Sequence, residues 1–491
     1  MNAKPSAFVT HALLAAASLA LTGCAVGPDF QTPDSHPPAG FANGETSPYS
    51  DNPVDLLWWR GFNDPQLTDL VELALAHNRE LKAAQANLRE ARALYLQAGL
   101  QLAPVISAHA NYTEQKRSSG ALNNRNFVPR ELKLYNTGFD ASWELDFFGR
   151  VRRNVEASND EVDAQLASLH DIGISLIAEV ARNYFELRGL QLQRQVAEQN
   201  VANQQQTLTI TQAKFTNGRG TPLDVARADA QLNATRAGLP DLDASLKQAI
   251  HRLSVLCGEM PYALAARLTP HAALPKAPEL IGIGNPADLL RRRPDIRSAE
   301  RTLAAATARI GVATADLFPR VSFVGSISLE ATTLSGLVAP GSESYSIGPK
   351  ISWAALDLGR VYAQIKAADA RAEASLANYE QTVLTALEDT ENALVNYGEQ
   401  RRRRDLLAQA EASSRQAREL AQLQYREGLT DFLTVLDAES RLLQDQTRLA
   451  QSETATASAL TAVYKALGGG WQAVPDGDQQ EALAVSNEQL R

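Results

Sequence analysis

The 66 residues from Gly359 to Gln424 contain no proline and, beyond their first residue, a single glycine, Gly398. Along them Val361, Ile365, Ala368, Ala372, Leu376, Tyr379, Val383, Leu387, Thr390, Leu394 and Tyr397 form an apolar or small stripe. Its ten steps cover 36 residues, a mean of 3.6, which is the period of a straight α-helix. Such a helix is about 99 Å long, far more than the hydrocarbon core of a membrane, so it has to extend into water.

Subtracting 210 from each position gives Val151, Val155, Ser158, Val162, Leu166, Leu169, Gly173, Ile177, Val180, Tyr184 and Leu187, the same stripe again. The duplication is wider than the helix. Phe148-Gly149-Arg150-Val151 returns as Leu358-Gly359-Arg360-Val361, and Lys214-Phe215-Thr216-Asn217-Gly218 as Gln424-Tyr425-Arg426-Glu427-Gly428. Upstream the shift becomes 215, laying Ala103-Pro104 on Phe318-Pro319. Two copies of this length are halves of one body rather than solenoid repeats. The boundaries read as 63–258 for the first repeat and 285–468 for the second, with a linker at 259–284, an extended segment at 24–62 and a tail at 469–491. Each half reads as helix, strand, loop, strand, very long helix, tight turn, return helix. A discontinuity is expected near His77-Asn78, and the return helices at Thr221 to Leu256 and Thr430 to Leu467. The breaks before them, at Gly218 and Gly428, are glycine turns between antiparallel helices.

Between the first helix and the long helix of each half the period changes to 2. From Thr137 to Phe147 the residues Thr137, Phe139, Ala141, Trp143, Leu145 and Phe147 share one face, and Gly138, Asp140, Ser142, Glu144 and Asp146 the other. Val105 to Thr113 alternates less cleanly; Val321 to Leu329 and Tyr345 to Trp353 supply the counterparts in the second half. Strands of about ten residues suit a tilted crossing of a bilayer, and equally an ordinary antiparallel sheet wet on one face. Four strands cannot close a transmembrane barrel, whose smallest form has about eight. If these strands span, the wall is shared between chains.

Composition agrees with long, closely packed helices. The chain holds 80 alanines, about one residue in six, while aromatics are 6%. A net charge of −9 gives no footprint for nucleic acid. Mean hydropathy of −0.24 argues against a polytopic helical membrane protein. At the N-terminus Lys4 precedes an apolar run, Ala7 to Leu21, which reads as a signal peptide over residues 1–23. It ends Leu21-Thr22-Gly23-Cys24, which resembles a bacterial lipobox and makes Cys24 the lipid-attachment residue. Ala25, rather than Asp, points by the same resemblance to the outer membrane. The other thiol, Cys257, reads as a small buried residue.

The sequence Gly23-Cys24-Ala25-Val26-Gly27-Pro28-Asp29-Phe30, the pair Trp58-Trp59, the doubled strand–Gly-Arg–helix junction and the stretch from Tyr425-Arg426-Glu427-Gly428 through Leu433-Thr434-Val435-Leu436-Asp437-Ala438 resemble TolC-like outer-membrane efflux channels of the lipidated OprM/NodT-like branch. The resemblance covers nearly the whole mature chain. It implies an internally duplicated α+β membrane protein in which a homotrimer closes a 12-stranded β-barrel, four strands per chain, above a tunnel of 12 helices. It implies a passive exit duct, gated at the periplasmic helix tips and served by a periplasmic adaptor (a membrane fusion protein) and an inner-membrane pump. Leu433 and Asp437 match the family's gate positions, and Thr434 stands where one gate of this type has a further Asp. The repeat-equivalent residues are Leu223 and Arg227, with Asp224 beside them; an Arg227–Asp437 latch is one expectation, solvated helix charges the alternative. The Gly218 and Gly428 turns are the expected adaptor contacts. The run Arg401 to Arg404 falls at the family's equatorial collar and reads as a solvated or acid-paired face.

No metalloprotease helix motif, nucleophile elbow or phosphate loop is present, and seven histidines make no ligand spacing, so neither catalysis nor a metal or cofactor is expected. Two rivals remain at this stage: a duct for secreted polypeptide and a structural coiled-coil lipoprotein.

Overall fold

The computed structural model describes residues 25–34, 36–44, 48–118, 120 and 130–476. The signal stretch, Cys24 and the end of the tail lie outside the described residues. In chain order the elements are β1 (Tyr49–Ser50), α1 (Pro65–His77), α2 (Arg79–Leu100), β2 (Val105–Lys116), β3 (Glu131–Leu145), α3 (Arg150–Thr216), α4 (Pro222–Ala237), α5 (Leu239–Leu256), α6 (Ala265–Leu268), β4 (Ile281–Gly282), α7 (Pro286–Arg292), α8 (Pro294–Ala315), β5 (Arg320–Ala331), β6 (Glu343–Ser352), α9 (Leu358–Glu427) and α10 (Phe432–Ala466).

The two long helices are 67 and 70 residues. Every residue of both expected stripes is buried or half-buried, so the 3.6-residue period does mark the packed face. The break near His77 is real and has a cause. Asn78 leaves the helical region at ψ 136°, its carboxamide oxygen accepts from the Leu81 N–H at 3.0 Å to start α2, and its Nδ2 donates to the Leu256 carbonyl at 2.9 Å. One return helix departs from expectation. The stretch Thr221 to Leu256 is two helices, α4 and α5, parted at Gly238. Pro240 has no N–H for the carbonyl four residues back, so the ladder lapses there. Its counterpart α10 runs unbroken for 35 residues. The stretch expected as a plain linker holds α6 and β4, the latter pairing in parallel with β1.

Two compact units are distinguishable, and neither coincides with a sequence repeat: each draws on both. Residues 25–34, 88–165 and 299–379 form the first; residues 36–87, 166–298 and 380–476 form the second.

The first unit is built on one antiparallel sheet of order β2-β3-β5-β6. Its register lines up Ala108, Phe139, Ile327 and Tyr345 in one row, and Ile106, Ala141, Gly325 and Ile347 in the next. These rows are the apolar face, and they are bare: Ile327 is 71% exposed and Tyr345 80%. The opposite face is polar and internally bonded. His109 Nε2 lies 2.5 Å from Asn136 Oδ1, and Asn136 Nδ2 donates to Glu330 at 2.8 Å. Aromatic rings bound the apolar face at both ends. The Tyr112 and Tyr135 rings lie 4.7 Å apart at one end. At the other, Trp143 donates to the Leu102 carbonyl at 2.8 Å, and its repeat partner Trp353 to the Leu317 carbonyl at 3.0 Å. Tyr135 and Trp143 are eight residues apart on one strand, about 26 Å along it, or about 20 Å across a bilayer at a tilt of about 40°, comparable with the apolar band of an outer-membrane barrel.

A strap of N-terminal residues ends at the strand–helix junction. The Val26 N–H donates to the Phe148 carbonyl at 3.1 Å. Gly149, at φ +81°, lies so close to Ala25 that a β-carbon there would come within 2.6 Å of it. Arg153 holds the strap through the carbonyls of Val26 and Gly27 and an ion pair to Asp29 at 2.6 Å.

In the second unit Trp58 and Trp59 are fully buried, and Trp58 stacks on Tyr464 at 5.1 Å. Cys257 is buried beside the Leu70 carbonyl, and burial pushes its thiol pKa up to about 12. It is a packing residue with no thiolate at neutral pH.

Candidate functional site

The helix tips are built twice on one backbone pattern. Gly218 has φ +71°, its N–H donates to the Phe215 carbonyl at 2.9 Å, and the Arg219 N–H donates to the Lys214 carbonyl at 2.8 Å. Gly428 has φ +77°, with Gly428 bonded to Tyr425 at 3.1 Å and Leu429 to Gln424 at 2.8 Å. Each is the left-handed closure that satisfies the last carbonyls of a helix. Both glycines face open space.

The return helices then start on different caps. Thr221 and Asp224 form a capping box: the Thr221 hydroxyl accepts from the Asp224 N–H at 3.2 Å, and the Asp224 carboxylate accepts from the Thr221 N–H at 3.2 Å and from its hydroxyl at 2.7 Å. In the second tip Asp431 is the cap, accepting from the Thr434 N–H at 3.0 Å and its hydroxyl at 2.8 Å. Those hydrogen bonds, the side-chain one foremost, hold the Asp431 carboxyl below the usual range, with a smaller contribution from Arg227. Asp224 and Thr434 are thus occupied in starting helices. Leu433 and Asp437 remain exposed on one face of α10, as does Leu223 on α4. Arg227 is exposed as well, and among the described residues no ion pair joins it to Asp437 within the chain.

Behind the tips Leu208, Ala228, Leu232, Ala421, Tyr425, Phe432 and Val435 form an apolar core joining all four helices. Lys214 reaches across from α3, donating to the Tyr425 carbonyl with its ammonium 3.9 Å from the centre of that ring.

The seam between α3 and α10 was not visible to an apolar-period reading, because it is polar. Gln193, Asn200 and Thr207, seven residues apart, meet Gln451 at 3.5 Å, Gln446 at 2.8 Å and Glu439 at 2.6 Å. Lys214 continues the same spacing. Seven-residue contact spacing is that of a coiled-coil seam, in which polar residues fix register at a cost in stability. The detectable signal was the heptad of uncharged polar residues on a helix scanned only for apolar ones.

Arg401 to Arg404 divide as expected for a helix face: Arg404 pairs with Asp405 at 2.6 Å, Arg401 lies 5.9 Å from the Tyr397 ring centre, and the other two are exposed. Residues 471–476 of the tail are folded back, with Gln85 donating to the Pro475 carbonyl at 3.0 Å.

Known proteins share this architecture. The profile described as outer membrane efflux protein matches residues 70–259 and 285–469, one block for each repeat. The chain belongs to the outer membrane efflux protein family. Nodulation protein T of Rhizobium leguminosarum bv. trifolii is 31% identical over 429 residues, covering 87% of this chain and 90% of that one. The cation efflux system protein CusC of Escherichia coli K12 is 31% identical over 437 residues, covering 87% and 92%. The solved structure of the outer-membrane channel OprN is 43% identical, with a TM-score of 0.85 over 91% of this chain and 100% of that one. The fold is that of the TolC-like channels, and this family member works in efflux at the outer membrane.

Proposed function

We propose that three copies of the chain close a 12-stranded barrel and a 12-helix tunnel that serve as the passive exit duct of a tripartite efflux system. The observation that carries this is the sheet of the first unit. A soluble sheet buries its apolar face; this one leaves it bare, between two rows of aromatic rings, while the polar face bonds internally. Its outer strands β2 and β6 each pair on one side only among the described residues, so two edges await partners. Lipid on the apolar face and neighbouring copies on the edges answer both demands.

Ala25, seated on Gly149 where β3 gives way to α3, supports lipidation of Cys24. Acyl chains there would enter the leaflet beside the start of the wall, each buried methylene contributing about 0.8 kcal/mol. At the helix tips Leu433 and Asp437 form the gate, with three Asp437 carboxylates around the axis favouring cations over anions. Asp224 and Thr434 act on the gate by fixing helix starts, and Arg227 meets Asp437 only across a subunit boundary. The Gly218 and Gly428 turns receive the adaptor. Substrate choice belongs to the inner-membrane pump.

Conductance in planar bilayers tests the reading. The purified protein is expected as a trimer in unheated detergent gels, conducting weakly, with Asp437→Ala raising the current and reducing cation preference. Absence of any conductance in both proteins would leave the structural-lipoprotein reading in possession.

A further inference from the structure

The α3–α10 seam contains a carboxyl with an uncommon setting. Glu439 is 4% exposed, between Val435 and Leu442 on α10, and its hydrogen-bond partner is the neutral hydroxyl of Thr207. Along the four tip helices little charge acts on it. On α3, Thr207 and Thr211 are neutral, and Gln204 has both amide atoms buried without a partner. On α9, Arg418 is the cation that acts on it, and the Gln422 Nε2 is buried without a partner. On α4, the core residues Ala228 and Leu232 are apolar. On α10 itself, Asp437 points to solvent and Arg441 is bonded to Asp445 at 3.2 Å. Buried polar atoms without partners are where a packed seam tolerates water most readily.

We propose that the Thr207–Glu439 contact is a proton-linked clasp of the gate: when α10 parts from α3, water reaches the carboxyl, its O–H bond breaks, and the proton leaves to solvent. The proposal rests on the reading of the tips as the gate. Glu439 lies two residues beyond Asp437 on the same helix, so any movement that displaces Asp437 loads this contact. The contact sits where the polar seam meets the apolar core that Leu208 of α3 shares with Phe432 and Val435 of α10. Parting there exposes groups that water can satisfy.

Burial, the largest influence, pushes the Glu439 carboxyl above its ordinary value; the Thr207 hydrogen bond and Arg418 oppose this more weakly. A group that binds its proton more tightly in the closed form stabilises that form at low pH and loses the effect as pH rises through the closed-form pKa. Opening is therefore favoured by alkali. The experiment separates this buried carboxyl from the exposed Asp437 carboxylate two residues before it.

Single-channel open probability of the trimer is measured from about pH 4, the ordinary carboxylate range, up to about pH 8, where one carboxyl can change the opening equilibrium by at most about tenfold per pH unit. The wild-type open probability is expected to rise across that range. Glu439→Gln flattens the rise and keeps the gate closed at high pH; Asp437→Asn conducts more at every pH but keeps the rise. Thr207→Val, by removing a bond that favours the ionised form, moves the rise to higher pH. An undiminished rise in Glu439→Gln, or a rise abolished by Asp437→Asn alone, overturns the proposal. Should Glu439→Gln fail to yield trimers, an unshifted profile in Thr207→Val overturns it by itself. A protein silent at every pH, with Asp437→Ala silent too, removes the channel reading and the clasp with it.

Discussion

The two tips share a turn and little else. Gly218 and Gly428 close α3 and α9 at φ +71° and +77° with the same pair of backbone bonds, 210 residues apart. One step later the copies diverge. Pro222 is exposed where Phe432 is 3% exposed, and Val225 is half-buried where Val435 is fully buried. Thr207 has Ala417 as its counterpart, and buried Glu439 has exposed Asp229. Duplication preserved the backbone while the two return helices took different duties. In the second repeat the return helix sends Phe432 and Val435 into the tip core and carries the proposed gate positions. In the first it is broken near Pro240, leaves Pro222 and Leu223 exposed, and joins the same core only further along, at Ala228 and Leu232. In the proposed ring of six hairpins, seams of this kind would alternate between those within a chain and those between chains. The polar contact of Thr207 with Glu439 lies within the chain, and the exposed counterparts Ala417 and Asp229 would fall to the other kind.

The strongest way to break this contrast is at the residue following each cap. Phe432 packs 5.8 Å from the Tyr425 ring and fills the tip core. Truncating it to Ala is expected to cost about 3–5 kcal/mol, as for other buried Phe residues. Pro222→Ala removes no core contact and should cost under about 1 kcal/mol. Denaturant titration of the detergent-solubilised protein, read by hydrogen exchange at the tip, compares them. Equal losses would mean that the first return helix is as deeply packed as the second.

The turns themselves provide a control in which the copies should agree. A β-carbon at position 218 or 428 meets nothing, so only the left-handed backbone resists it. Gly218→Ala and Gly428→Ala should each cost about 1–2 kcal/mol, and by matching amounts. A loss confined to one of them would show that the tips are not copies of one turn.

How much of this was legible beforehand follows from what each period reports. Val361 to Tyr397 and Val151 to Leu187 could be read because a long helix repeats its buried face every 3.6 residues without interruption. The strands could be read as strands, and Phe139, Trp143 and Ile327 placed on one face, because pairing preserves alternation. That the face is bare could not be read, since an apolar side chain looks the same whether it meets a core or lipid. The gate positions came from resemblance to the family. The occupation of Asp224 and Thr434 in capping was open to inspection, since Thr221-x-x-Asp224 and Asp431-x-x-Thr434 stand at helix starts. Glu439 was beyond reach: a glutamate on an amphipathic helix is ordinarily solvated, and only the packing of α3 against α10 reveals otherwise.

The smallest expected effect concerns the caps and their response to acid. Thr221→Ala, which removes the hydroxyl that accepts from the Asp224 N–H, should weaken the start of α4 by about 1 kcal/mol. Asp431 differs. Its carboxyl is held below the ordinary range by the Thr434 bonds, so the stability it lends α10 is present above the usual carboxylate pKa and is lost as pH falls through the lowered one. Hydrogen exchange of the first-turn amides of α10 should therefore quicken in acid relative to those of α4, and Asp431→Asn should remove that difference while keeping the cap. Asn accepts the same backbone bond and cannot titrate. Acid sensitivity that persists in Asp431→Asn would move the cause elsewhere on the tip, with Asp437 as the next residue to neutralise.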